Sequence, residues 1–194
     1  MGFVLTNEYM PHYTYNDYVE WEGNWELING FPYAMSPSPT WKHQRINVNI
    51  VSQLDRLLNK NKCNCSAILA TDWIVEDDTV LQPDVSVTCK PVEGNFIINT
   101  PEIIFEILSP SNIKMDKGMK FEIYQLKGVL FYIIVDPALE TFQIFQLIKG
   151  KYVKQESNKN IFEFKLNICS VKFDFSKIWP SKIGYKGISI KNRI

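Results

Sequence analysis

Three acidic residues interrupt strand-like apolar runs in the same way: Glu106 inside IIFEIL, Asp84 after Pro83 at the head of DVSV, and Glu26 inside WELI. A carboxylate taken out of water is costly unless a cation, a hydrogen-bond donor or a metal meets it, so each of the three needs a partner. If the DVSV and IIFEIL strands are neighbours, Asp84 and Glu106 point from one face. Two such carboxylates repel unless a divalent cation lies between them. Oxygen donors of this kind suit Mg²⁺ or Mn²⁺, and an ion held this way orients and acidifies a water for attack on phosphorus. A lysine would complete the set as a point charge on the nucleophile or on the developing phosphate charge. Lys120, on the helix that follows IIFEIL, has the reach; Lys114 and Lys117 compete and are expected to be more exposed.

Each of these residues also has a plainer reading. Asp84 could bond to local amides after its proline, Lys120 could be a structural ion-pair partner of Glu106, and Glu26 could be a half-exposed hairpin residue. His43 is read as an exposed residue of a first helical turn in preference to a phosphate contact. Ser109 and Ser111 are read as turn and capping residues, because no histidine is placed to act as their base. Lys42 and Arg45 open one helix, and Lys114, Lys117 and Lys120 crowd another; such runs are solvated faces or contacts to a phosphate backbone.

The elements that must position these side chains can be read from period and punctuation. Thr14 caps a short helix over YNDYVEWEG that Gly23 would end, and NWELINGFPYAMS is a hairpin turning at Asn29-Gly30. SPSP at 36 to 39 is a rigid connector, after which Thr40 caps WKHQRINVNIVSQLDRLLNK. Ile46, Ile50, Leu54, Leu57 and Leu58 fall on one face of that helix. Strands follow over CSAILATDWIVED, PDVSVTC and EIIFEILSP. Ser111 or Asn112 caps a second helix over IKMDKGMKFEIYQLKG, with Met119, Ile123 and Leu126 expected on its apolar side and Gly128 as its stop. VLFYIIVDP is a buried strand, TFQIFQLIKGKYVKQES a hairpin turning near Lys149-Gly150, and the basic end a candidate mobile segment. This order predicts a mixed α/β domain around one central sheet.

Composition narrows the function classes. The 194 residues suit a single domain, with 45% apolar and 22% charged residues. Twenty-one basic and twenty-one acidic residues leave no formal net charge, so any polyanion-binding surface is local. Neither a signal peptide nor a membrane-spanning run is visible, which makes a soluble cytoplasmic protein with no membrane partner the expectation. Cys63, Cys65, Cys89 and Cys169 lack the clustering with histidine that a zinc site requires and are read as ordinary small residues in a reducing compartment.

Taken together, WELINGFPYAMSPSP, KHQRINVNI, LQPDVSVTC, PEIIFEILSPSN and DKGMKFEIYQLKGVLFYIIVDP resemble the Uma-type family of bacterial endonucleases within the PD-(D/E)XK superfamily. The likeness runs from about residue 13 to about residue 147, with a C-terminal β extension from about residue 160 to residue 194. The resemblance implies a restriction-endonuclease-like core: a mixed central β-sheet flanked by helices, preceded by an N-terminal helix and β-hairpin. It implies that Asp84 and Glu106 are the acidic metal ligands, that the Ile107 carbonyl is the backbone ligand, and that Glu26 fills the acidic position of a YELIDG-like element. Leu108 stands where the superfamily places a lysine, and the family's lysine corresponds to Lys120. The implied activity is Mg²⁺- or Mn²⁺-dependent hydrolysis of DNA, with a homodimer if both strands are cut. The rival reading is a nucleic-acid-binding or interaction module that keeps the fold with little or no catalysis. Hydrolysis of another phosphate ester is a third.

Overall fold

A computed structural model of the chain describes residues 11–35, 38–92, 94–110 and 113–181. The capping residue proposed at Ser111 or Asn112, part of the SPSP connector and the basic end lie outside these. The first helix, α1 (Tyr15–Tyr18), is shorter than expected and stops well before Gly23. Its neighbourhood is instead filled by aromatic rings, with Tyr18 and Trp21 meeting edge to face at 5.6 Å. The strands β1 (Trp25–Ile28) and β2 (Phe31–Ala34) form the expected hairpin, with Asn29 and Gly30 at φ 49° and 77°. Thr40 accepts a hydrogen bond from the His43 N–H and starts α2 (Trp41–Lys60), which buries Ile46, Ile50, Leu54 and Leu58.

After α2 come β3 (Ser66–Leu69), β4 (Trp73–Glu76), β5 (Thr79–Leu81), β6 (Val85–Thr88) and β7 (Ile103–Ile107). The helices α3 (Ile113–Lys117) and α4 (Met119–Leu126) lead to β8 (Phe131–Asp136). Two hairpins follow, β9 (Thr141–Ile148) with β10 (Lys151–Gln155) and β11 (Ile161–Lys165) with β12 (Ser170–Asp174), and then a 3-10 turn over Phe175–Lys177. The central sheet has six strands in the order β10-β9-β8-β7-β6-β3, and only the β7–β8 pair is parallel. That pair needs a crossover, and α3 and α4 supply it. A smaller sheet, β2-β1-β5-β4, carries the N-terminal hairpin.

Alternation along β7 decides which face each side chain enters. Ile103, Phe105 and Ile107 join α2 and the aromatic rings of the last hairpin in one core. Ile104 and Leu108 join Tyr124, Tyr132 and Trp73 in the other. Glu106 shares the parity of Ile104 and Leu108, so it enters the second core.

Two expectations are corrected here. The single helix expected over IKMDKGMKFEIYQLKG is broken at Gly118, where a β-carbon would lie 2.7 Å from the Lys114 carbonyl. Its inward side is also not the apolar one: Leu126 is 80% exposed, and α4 buries Lys120 and Tyr124. The reason is that the surface it covers presents carboxylates, which a methionine or leucine could not satisfy.

The cysteines are not free. Cys65 and Cys89 are bonded, as are Cys63 and Cys169. The antiparallel register Ser66↔Thr88 places Cys65 and Cys89 opposite one another just beyond the paired strands, and the second bond ties the end of α2 to the last hairpin. Among the described residues, no helix is long and apolar enough to cross a membrane.

Candidate functional site

The pairing of β6 with β7 sets the site. Val85 lies opposite Phe105, so one step outward Asp84 lies opposite Glu106. Both side chains leave the same face, as expected for strands in this arrangement. Asp84 is fixed by the Ile107 N–H, which donates to its Oδ2 at 2.7 Å, while the Asp84 N–H points at Glu106 Oε2 from 3.4 Å.

Lys120 arrives from α4. Its Nζ lies 2.8 Å from Glu26 Oε1, 3.0 Å from Glu106 Oε1 and 3.8 Å from Asp116 Oδ1. The ammonium therefore joins the small sheet, through Glu26 on β1, to the central sheet, through Glu106 on β7. Glu26 Oε1 also accepts the Gln82 N–H at 2.9 Å. Glu106, Lys120, Glu26 and Asp116 are all buried, at 5% exposure or less. Lys114 and Lys117, the competing lysines, are exposed. Leu108 is a buried core residue whose N–H bonds to the Val135 carbonyl, so the lysine approaches Glu106 from the helix and not from the strand.

Three further side chains belong to this cluster. Tyr124, one turn after Lys120, donates its hydroxyl to Glu106 Oε1 at 2.6 Å. Asp116, one turn before Lys120, is buried, and its Oδ1 has no hydrogen-bond partner. The spacing of Asp116, Lys120 and Tyr124 is that of one helix face, a stripe legible in the sequence once the polar face is taken as the inner one. His43, read from the sequence as exposed, is buried, and its Nε2 lies 3.1 Å from Asp84 Oδ2. Lys42, one residue earlier, contacts the Pro137 carbonyl at 2.5 Å and Glu140 at 3.2 Å.

The electrostatics follow from three carboxylates, Glu26, Glu106 and Asp116, sharing one buried ammonium, with Asp84 close by. Burial raises the Glu106 carboxyl well above its usual range; Lys120 opposes this, and Asp116, Asp84 and Glu26 add to it. Burial likewise pushes Asp116 up to about 7 against the pull of Lys120. For Lys120, burial works against the charge, but Glu106, Glu26 and Asp116 outweigh it and hold the ammonium well above its ordinary value. For His43, burial lowers the pKa, the Asp84 hydrogen bond and charge raise it, and the net direction is upward.

A consequence for stability follows from Asp116. Its folded pKa of about 7 exceeds the ordinary 3.8, so the folded state binds the proton more tightly. Its contribution is full below about pH 4 and is lost as the pH rises through about 7. Thermal melts of the wild type and Asp116→Asn between pH 4 and 8 test this. The wild type is expected to lose stability more steeply over that interval, and parallel slopes would refute the assignment.

As a donor set, Asp84, Glu106, the Ile107 carbonyl and Asp116 offer oxygens suited to a hard divalent cation. Among the described residues, no three acidic, histidine or cysteine side chains are grouped so as to hold a metal ion by themselves. An ion here would keep several waters, as Mg²⁺ does. The negative charge in excess of the one ammonium, and Asp116 Oδ1 with no hydrogen bond and only the 3.8 Å ion pair to Lys120, are what a cation would relieve.

Comparison with known proteins gives three findings. A family model described as "Putative restriction endonuclease" (Uma2) matches residues 15–166. An uncharacterized protein, slr1290, of Synechocystis sp. is 30% identical over 120 residues, covering 59% of this chain and 63% of that protein. The crystal structure of "a putative nuclease belonging to DUF820" from Anabaena variabilis superposes with a TM-score of 0.68 at 18% identity, covering 85% of this chain and 96% of that one. The last is a likeness of fold and agrees with the mixed α/β core expected from the sequence.

Proposed function

The chain belongs to the Uma2 family, described as "Putative restriction endonuclease", and from that premise we propose that it is a Mg²⁺- or Mn²⁺-dependent endonuclease that hydrolyses DNA phosphodiester bonds. The observation carrying this reading is the cross-strand pair Asp84 and Glu106, met by Lys120 from α4. In this reading Asp84, Glu106 and the Ile107 carbonyl hold the ion. When bound, the ion supplies a polarised water and charge neutralisation at the phosphate.

The chain's own groups do the rest. The Ile107 N–H orients Asp84, and the Tyr124 hydroxyl takes up one lone pair of Glu106 so that its other oxygen faces Asp84. Lys120 places a fixed positive charge beside Glu106, where a phosphate oxygen gaining charge would be stabilised. Glu26 holds that ammonium from the opposite side. The neutral overall charge requires a local contact with DNA, for which the exposed Lys114 and Lys117 are suited. Cleavage of both strands would bring two copies together, and a cytoplasmic location accompanies a DNA substrate.

One observation favours the rival module without catalysis: Lys120 is already engaged by Glu26 and Glu106 at 2.8 and 3.0 Å, a self-satisfied ion network. Asp84→Ala separates the readings. Its carboxylate is only half-buried, so the variant is expected to fold while losing Mg²⁺-dependent cleavage of plasmid and oligonucleotide DNA by at least roughly 10²-fold. Cleavage equal to wild type, or none by the wild type with either ion, would overturn the proposal.

A further inference from the structure

We propose that His43 is a nitrogen ligand of the metal site and that it tilts the site toward Mn²⁺ over Mg²⁺; the inference rests on the reading just given. Two independent observations carry it.

The first is position. The Nε2 of His43 stands 3.1 Å from Asp84 Oδ2, and the imidazole also lies against the backbone of Ile107. It thus adjoins both the carboxylate and the peptide proposed to hold the ion. Adjacent donor atoms of an octahedral cation, each about 2.1 Å from it, lie about 3 Å apart, close to the separation seen here. α2 delivers this residue from the first turn after the Thr40 cap, so the ring is anchored on a rigid element.

The second is the state of Asn47, one helical turn on. Its amide lies 3.4 Å from His43 Nδ1 through the nitrogen, while its Oδ1 is buried without any hydrogen-bond partner. Asn47 is 3% exposed, so water does not supply the missing bond cheaply. A half-turn of the amide exchanges its two ends. Oδ1 then accepts a hydrogen bond from Nδ1–H, and on binding the ion Nε2 would exchange its 3.1 Å hydrogen bond to Asp84 Oδ2 for the metal. A ligating histidine ordinarily donates its other ring N–H to an oxygen in this way, which fixes both tautomer and ring orientation. The flip gives the orphaned oxygen a donor in the Nδ1–H of a metal-bound histidine.

The consequence is selectivity. Carboxylate, carbonyl and water donors serve Mg²⁺ and Mn²⁺ alike, whereas imidazole suits first-row transition ions. Adding one nitrogen to an otherwise all-oxygen set shifts the preference to Mn²⁺.

Calorimetric titration of the full chain with Mn²⁺ and with Mg²⁺, and pulsed electron paramagnetic resonance of the Mn²⁺-loaded protein, test this. Expected are a Mn²⁺ affinity at least roughly ten-fold above that for Mg²⁺ and a nitrogen hyperfine coupling in the wild type. His43→Ala should lose the coupling and weaken Mn²⁺ binding about 10- to 100-fold, with Mg²⁺ binding weakened by a smaller factor. His43→Gln, which keeps bulk and polarity, serves the same comparison if the alanine variant does not fold. Mn²⁺ bound tightly with no nitrogen coupling overturns the role of His43 and leaves the metal site standing. No binding of either ion by the wild type overturns both.

Discussion

Replacing Lys120 by methionine is expected to lower stability by about 3–5 kcal/mol, the usual range when one partner of a buried ion pair is removed. Methionine keeps the length and much of the volume of the stem, so the loss isolates the charge. Glu26, Glu106 and Asp116, all within 3.8 Å of the ammonium, would be left buried without it. The midpoint of thermal unfolding should fall by roughly 10 °C at pH 8 for a chain of this size. At pH 5 the gap should narrow, because Glu106 and Asp116 already hold protons more tightly in the folded state, and without Lys120 they do so at still higher pH. Added Mg²⁺ should also narrow it if the carboxylates bind the ion, since a ligand of the folded state alone stabilises it. A midpoint within about 2 °C of wild type at pH 8 would show that the network is not what holds the two sheets together.

Reduction should be the second large perturbation. The Cys63–Cys169 bond closes a separation of 106 residues and the Cys65–Cys89 bond one of 24. Constraint on the unfolded chain grows with loop length, and a bridge of the longer kind contributes about 2–4 kcal/mol. Alkylation of the denatured, unreduced protein is expected to add no label, and four adducts should appear after dithiothreitol, matching the four cysteines. Cys63→Ser should cost more stability than Cys89→Ser, and four reactive thiols before reduction would refute the pairing. Disulfides persist in oxidising surroundings, so the paired cysteines and the expectation of a reducing compartment make opposite demands. Thiol state measured in freshly lysed cells decides between them.

How much of this was legible in the chain depends on whether the signal is local. Asn29-Gly30 and Lys149-Gly150 specify their hairpins because each pair tolerates positive φ, and α2 follows from its cap and its single apolar face. Asp84, Glu106 and Lys120 could be found because each violates the pattern around it. Asp116 and Tyr124 could not be found by the same rule: an aspartate and a tyrosine on a short helix look solvated until the helix is known to turn its polar side inward. That inversion also misplaced Leu126, since an apolar stripe predicts the core only when the core is apolar. His43 was misjudged for a related reason, because burial at the start of a helix depends on a strand end some forty residues away. The disulfides are invisible in spacing, since neighbouring cysteines at 63 and 65 take partners in different parts of the fold.

The ammonium that bridges the two sheets has a bearing on how such chains should be sorted. A group that would act on a phosphate here is also a rivet between two halves of the molecule, and the same holds for the carboxylates around it. A relative that did not cut DNA would still be obliged to carry Glu26, Glu106, Asp116 and Lys120 in order to fold. The half-buried Asp84, which no lysine depends upon, has less structural reason to be retained. Asp84, more than the buried four, is the position whose loss would mark a silent member of the fold.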